Sequence, residues 1–237
     1  MNPKVIYEDK SVLVIDKPTG WIINNSDTTK GILTVQDWIS SNYFFEISKD
    51  KEFRSGIVHR LDKETSGCLI IAKTKESFEF VQNQFKDRVI EKEYLALVHG
   101  IVEQRKGHIK VTVGRLPWNR ERFGVMPGGR LSETEFIVES YYTKEKESFS
   151  LVRFMPKTGR THQIRIHAKH IGHPLVSDTF YAGRKTSRKD RLWCPRLFLH
   201  AESISFMEID SGEKVRVRSK LPQDLLTALK SLDEIRE

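Results

Sequence analysis

The stretch Ile57–Ala72, IVHRLDKETSGCLIIA, decides how this chain is read. Ile57-Val58 lead into it and Cys68-Leu69-Ile70-Ile71-Ala72 lead out, so the polar residues between read as a loop held at both ends by core elements. Loops on rigid supports are a common seat of chemistry. Asp62 stands inside this loop, where a catalytic carboxylate would sit. The competing reading makes Asp62 the cap of a turn, with Thr65-Ser66-Gly67 as ordinary turn residues.

Toward the amino terminus, Val5-Ile6-Tyr7 and Val12-Leu13-Val14-Ile15 flank a polar turn and predict a strand pair, which Lys17-Pro18-Thr19-Gly20 then breaks. Leu33, Val35, Trp38 and Ile39 have the spacing of a short helix over 33–42. Beyond the Asp62 loop, Phe78, Val81, Phe85 and Val89 predict one face of a helix over 75–89. Strands are expected at 92–100, 107–113, 133–138 and 148–155, with a long exposed loop or hairpin over 114–132. Ile164, Ala168 and Ile171 predict a helix over 161–171 with Gly172 as its C-cap glycine. A second basic loop is expected at 181–196, then strands at 198–206 and 215–218 and a helix opened by Pro222. With no repeat or linker in view, the expected architecture is α+β: one domain over 1–237 with a mixed, largely antiparallel sheet flanked by helices and loops.

The 237 residues, 38% of them hydrophobic, suffice for a folded enzyme-sized core. The net charge of +8 comes from 40 Lys and Arg spread along the chain, which favours polyanion binding by a folded surface. Cys68 and Cys194 form no C-x-x-C pair, which argues against a zinc ribbon or a disulfide framework and for a reducing compartment. The amino terminus lacks the apolar run of a secretory signal and no stretch has the length of a membrane helix, so a cytoplasmic protein is expected.

Three separated segments share a pattern: HRLDKETSG at 59–67, KEYLALVHG at 92–100, and TGRTHQIRIH at 158–167 running on through Gly172-His173-Pro174-Leu175-Val176-Ser177-Asp178. In order and spacing the chain resembles the RluA-type pseudouridine synthases. Weaker likenesses at Lys17-Pro18-Thr19-Gly20, Gly129–Thr134 and Leu199-His200-Ala201 extend the resemblance across nearly the whole length. It implies a pseudouridine synthase catalytic domain with an active-site cleft across the sheet. The implied reaction breaks the bond from ribose C1′ to uracil N1, rotates the base and joins C1′ to C5, with no cofactor and no metal.

By that resemblance Asp62 matches the essential aspartate, and a glycosidic bond calls for a carboxylate as nucleophile, as base or as partner to a cationic sugar. Attack at C1′, addition at C6 and removal of the C2′ proton all stay open at this level. Tyr94 matches the family's active-site tyrosine, a candidate to help remove the C5 proton; by itself it could equally be a packed core ring. Arg165 matches a buried basic residue paired with the aspartate, without which a carboxylate in a closed pocket would be pushed toward its neutral form. On its helix it lies off the apolar stripe, so a solvated arginine is the plain alternative.

Arg60 is implied to fill the space left by an extruded uridine, since its planar guanidinium stacks on bases and bonds phosphate; a surface ion pair is the bland reading. His59 is given no catalytic role. Further RNA contacts are expected from Arg115, Arg120, Arg122 and Arg130, interleaved with Trp118 and Phe123, and from Arg160, His162, Arg184 and Lys185, with Tyr181 and Trp193 nearby. The alternative is a set of solvated loops. The expected partner is structured RNA, ribosomal slightly favoured over transfer RNA, bound by a monomer with no separate amino-terminal RNA-binding domain.

Two rival functions stand beside this one. His162, His167, His170 and His173 crowd together, but spacings of five, three and three scatter them over more than one helix face and no H-E-x-x-H is present, which is poor for a metal-dependent hydrolase. The other rival is a noncatalytic RNA-binding or RNA-folding module that retains the fold.

Overall fold

The computed structural model describes residues 1–117 and 119–235, without the side chains of 119–121. The elements run β1 (Lys4–Glu8), β2 (Val12–Lys17), α1 (Val35–Asn42), β3 (Ser66–Ala72), α2 (Lys75–Lys86), β4 (Glu91–His99), β5 (Lys106–Leu116), β6 (Asn119–Val125), β7 (Arg130–Lys144), β8 (Glu147–Pro156), α3 (Gln163–His170), α4 (Arg184–Asp190), β9 (Leu199–Met207), β10 (Lys214–Arg218), α5 (Gln223–Lys230) and β11 (Asp233–Ile235). This is the expected α+β class. Among the described residues no helix is long and apolar enough to cross a membrane.

The chain clusters into two compact units, one of residues 1–92 with 201–220 and one of 93–200 with 221–237. In the first, the strand order is β1-β2-β3-β9-β10, and the β1–β2, β2–β3 and β9–β10 pairs are antiparallel. Every residue of β3 is buried, which is why it reads as a continuous apolar run rather than an alternation. Val12, Val14, Ile70, Phe78, Val81 and Phe206 share one core, onto which α2 lays its Phe78–Val81 face. Thr34 and Thr74 cap α1 and α2, each accepting from the backbone N–H three residues on. Leu33 and Val89 are exposed, at 57% and 42%, because each helix is shorter than its apolar spacing suggested. Arg88, at φ 61°, ends the chain's helical path after α2.

The second unit orders its strands β4-β8-β7-β5-β6 with β11 on β7, and the β4–β8, β7–β8, β5–β7, β5–β6 and β7–β11 pairs are antiparallel. Along β7, Ser132, Thr134, Phe136 and Val138 are buried at every second position, the period a half-covered strand requires. Ala96, Val98, Val152, Phe154, Ile164 and Ala168 form the core beneath α3. The 114–132 segment is a β5–β6 hairpin running into β7. The expected basic loop at 181–196 contains a helix, α4; buried Ser187 and Asp190 anchor one side, while its lysines and arginines mask the helical period. The short β11 was not legible, since three exposed residues carry no alternation to read.

Candidate active site

In the first unit Asp62 sits half-buried between buried Leu61 and Thr65. Thr65 N donates to Asp62 O at 3.1 Å, so Asp62 opens a tight turn, as the cap reading held; a turn position and a chemical role are compatible. The turn is pinned from below by Lys17-Pro18-Thr19-Gly20. Gly20 N donates to Lys63 O at 2.8 Å, and Thr19 Oγ1 donates to Glu64 O at 3.0 Å. Lys17 is fully buried, and its Nζ donates to Pro18 O at 2.9 Å, Trp21 O at 3.1 Å and Lys63 O at 3.3 Å. A buried ammonium is tolerated because these carbonyls replace its water. With Thr19 and Gly20, Lys17 fixes the two successive carbonyls after Asp62, those of Lys63 and Glu64.

The entry to the turn is tied down by His59, whose Nε2 accepts the Ile70 N–H at 3.0 Å while its ring lies 4.8 Å from Phe85. That acceptor role requires the neutral imidazole. Burial, with the Lys92 ammonium as a lesser cause, pushes the His59 pKa down to about 3, and burial brings Lys92 itself down to about 8. His59 is thus a structural tie next to exposed Arg60.

In the second unit Tyr94 is half-buried on β4, opposite Phe154 in register and packed against the core of Ala96, Val98 and Phe154. Arg165, which the resemblance implies is a buried basic residue and the plain alternative a solvated one, is 2% exposed. Its Nε and Nη2 donate to Asp178 Oδ2 and Oδ1 at 2.8 and 2.7 Å, and its guanidinium lies 5.2 Å from the ring centres of both Phe180 and Tyr181. The helix position off the apolar stripe thus leads to a buried ionic contact, not to solvent.

His162 was expected inside the helix. It stands just before α3 at φ 55°, with Nδ1 3.0 Å from the Tyr181 hydroxyl, which donates to Phe123 O at 3.1 Å. Gln163 begins the helix, and its amide is satisfied at every position: Nε2 donates to Glu133 O and Thr134 Oγ1, while Oε1 accepts from Thr158 Oγ1 and Arg160 N, at 2.7 to 3.0 Å. This network sets the start of the helix that carries Arg165.

Of the other expected RNA contacts, Arg115 is exposed on β5 over the Phe123 ring at 5.3 Å, and half-buried Arg122 stands over Phe180 at 5.8 Å. Arg130 is exposed at the start of β7, and half-buried Arg160 donates through Nε to Leu131 O at 3.3 Å. Arg184 and Lys185 are exposed on α4, together with Arg188 and Lys189. Trp118 and the Arg120 side chain lie outside the described residues. Arg122, His162 and Arg165 therefore gather around Phe180 and Tyr181, an aromatic pair with cations on it that the scattered sequence positions did not announce.

Lys17, Gln163 and Asp178 were missed as positioning groups. Each lies in a segment singled out by resemblance, but a buried partner is not visible in a linear pattern. Among the described residues no three His, Cys, Asp or Glu are grouped to hold a metal ion. Of the crowded histidines, His167 meets Ser132 Oγ at 2.8 Å through Nε2, and His173 Nδ1 donates to His99 O at 2.8 Å.

The family described as RNA pseudouridylate synthase matches residues 11–170. A Bacillus subtilis protein named uncharacterized RNA pseudouridine synthase YlyB is 33% identical over 234 residues, 98% of this chain and 73% of that protein. Ribosomal large subunit pseudouridine synthase C of Escherichia coli is 33% identical over 242 residues, 98% of this chain and 70% of that one. The solved structure of human RNA pseudouridylate synthase domain containing 1 superposes with a TM-score of 0.78 at 26% identity, covering 99% of this chain and 89% of that one. The matched residues 11–170 include Asp62, Tyr94 and Arg165, and on these findings the chain belongs to the RNA pseudouridylate synthase family.

Proposed function

We propose that this enzyme isomerises uridine to pseudouridine in ribosomal RNA, with Asp62 as the catalytic carboxylate. Family membership supplies the reaction class, and relatives named for the large ribosomal subunit support the substrate. One observation carries the assignment of chemistry to this loop: a half-buried aspartate opens a turn whose next two carbonyls are held by Gly20, Thr19 and buried Lys17. A group so placed meets a substrate without first ordering its loop, which is where enzymes gain from preorganisation.

Arg165 is the basic residue of the reaction, Tyr94 lies against the target base and helps remove the C5 proton after rotation, and Arg60 fills the space the uridine leaves. Arg115, Arg120, Arg122, Arg130, Arg160, His162, Arg184 and Lys185 hold the RNA backbone and flanking bases. The enzyme works as a monomer in the cytoplasm without a cofactor, as one catalytic domain with its cleft across the sheet.

The decisive test is tritium release from RNA labelled at uridine C5, because the new bond to C5 expels that hydrogen. Release from ribosomal RNA is expected, and Asp62→Asn should abolish it while RNA affinity stays within about threefold, since binding rests on phosphate contacts elsewhere. Full release by Asp62→Asn would remove that residue from the mechanism. Pseudouridine mapping with and without the gene distinguishes the substrates: sites missing only from transfer RNA would overturn the ribosomal assignment.

A further inference from the structure

We propose that Asp178 is a positioning residue for the reaction, acting through Arg165; this rests on the reading of Arg165 given above. Four donors converge on its carboxylate. Arg165 Nε reaches Oδ2 at 2.8 Å, while Oδ1 receives Arg165 Nη2 at 2.7 Å, Phe180 N at 2.9 Å and Tyr181 N at 3.0 Å. Asp178 has no exposed surface.

The two backbone N–H groups fix the plane of the carboxylate, and a fork-to-fork pair transmits that plane to the guanidinium. Phe180 and Tyr181, whose own N–H groups make the two anchoring bonds, also place their rings 5.2 Å from the guanidinium carbon. One short segment, 178–181, therefore aims the arginine and encloses it. A flexible arginine loses much of its rotamer freedom on being ordered, and here that ordering is complete before RNA arrives.

Stability alone does not account for the arrangement, because well-packed apolar residues are often as stabilising as a buried ion pair. Orientation does account for it. The Asp178 charge also offsets that of Arg165, so Arg165 acts as a set of directed N–H donors rather than as an isolated buried charge.

The test compares Asp178→Asn, Arg165→Met and the double variant by tritium release at saturating and limiting RNA, with circular dichroism to measure the folded fraction. Asn keeps an acceptor for the two backbone N–H groups but turns a donor or a weakened acceptor toward Arg165. Asp178→Asn is expected to lower kcat at least about tenfold with KM within about threefold, the split expected for a group that acts on the chemical step and not on binding. The double variant should be no slower than Arg165→Met within about threefold, since a residue acting through Arg165 has nothing left to align. Wild-type kcat in Asp178→Asn beside a slow Arg165→Met overturns the proposal alone, as does a double variant in which the two effects multiply. Wild-type kcat in Arg165→Met defeats the reading of Arg165 and the proposal with it. If Asp178→Asn does not fold, Asp178→Glu replaces it, keeping the charge but displacing the guanidinium; lowered kcat at unchanged KM is expected, and wild-type kcat overturns the proposal.

Discussion

Replacing Gly67 by alanine tests how tightly the loop of Asp62 is built into the first unit. Gly67 has φ +113°, and a methyl group placed on it would stand 2.8 Å from Ala201 N and 2.7 Å from Ala201 C, with the carbonyl oxygen nearer still. Comfortable carbon contacts lie near 3.5–4.0 Å, so β3 and β9 must part locally by about 1 Å. That stretches cross-strand bonds of about 2.9 Å to about 3.9 Å, beyond bonding range. Loss of two such bonds costs about 2 kcal/mol, and holding alanine at this φ costs about 1–3 kcal/mol more. The sum of about 3–5 kcal/mol is a large part of a typical domain stability of about 5–15 kcal/mol. Urea unfolding followed by circular dichroism should show that loss, and folded Gly67→Ala should turn over slowly because Gly67 lies five residues beyond Asp62. Gly159→Ala is the control: nothing lies within 4 Å of the added methyl, so a change within about 1 kcal/mol is expected. Equal stability of the two variants would refute the steric argument.

Lys17→Met takes the ammonium donor from Pro18 O and Trp21 O, at about 1–3 kcal/mol each, while Lys63 O keeps the Gly20 N–H; with partial relief of the buried charge, a net loss of about 1–3 kcal/mol in urea unfolding is expected. A variant as stable as the parent would show that the clip contributes nothing. Acid should weaken the fold before the carboxylates titrate. Burial holds His59 and His167 neutral, with pKa values lowered from 6.5 to about 3 and about 4, so the unfolded chain binds protons first as pH falls below 6.5. By pH 5 each imidazole should subtract about 2 kcal/mol, and a urea midpoint unchanged between pH 7 and 5 would contradict this. Reversing charge at Arg184, Lys185 and Arg188 together should raise KM for RNA at constant kcat and flatten its salt dependence by about 0.7–0.9 for each phosphate no longer neutralised. An unaltered salt slope would take α4 off the RNA surface.

Much of the architecture was legible because burial writes a period into the chain. The continuous apolar run after Gly67 is β3, and the stripe of Ile164 and Ala168 is the core face of α3. The misreadings have physical causes. Leu33 and Val89 extended an apolar spacing beyond where the backbone leaves the helix, and a period says nothing about where hydrogen bonding stops. The helix α4 was hidden because it meets the core through Ser187 and Asp190, which read as polar. That Arg165 is buried came from the resemblance, but its partner Asp178 was not legible, being thirteen residues away and off the helix.

By itself, then, the sequence determined the α+β class, the places of the main strands and helices, and, through resemblance, the family and the residues to suspect. These follow from local preference and from patterns repeated at short range. Tertiary structure alone decided what holds those residues. Lys17 grips the carbonyl after Asp62 from 46 positions away, the Ile70 N–H turns His59 into a neutral tie, and Asp178 sets the plane of Arg165. Such pairings depend on which distant groups share a dry space, where a charge must find a partner and a carbonyl a donor. No linear pattern specifies them until the chain has folded.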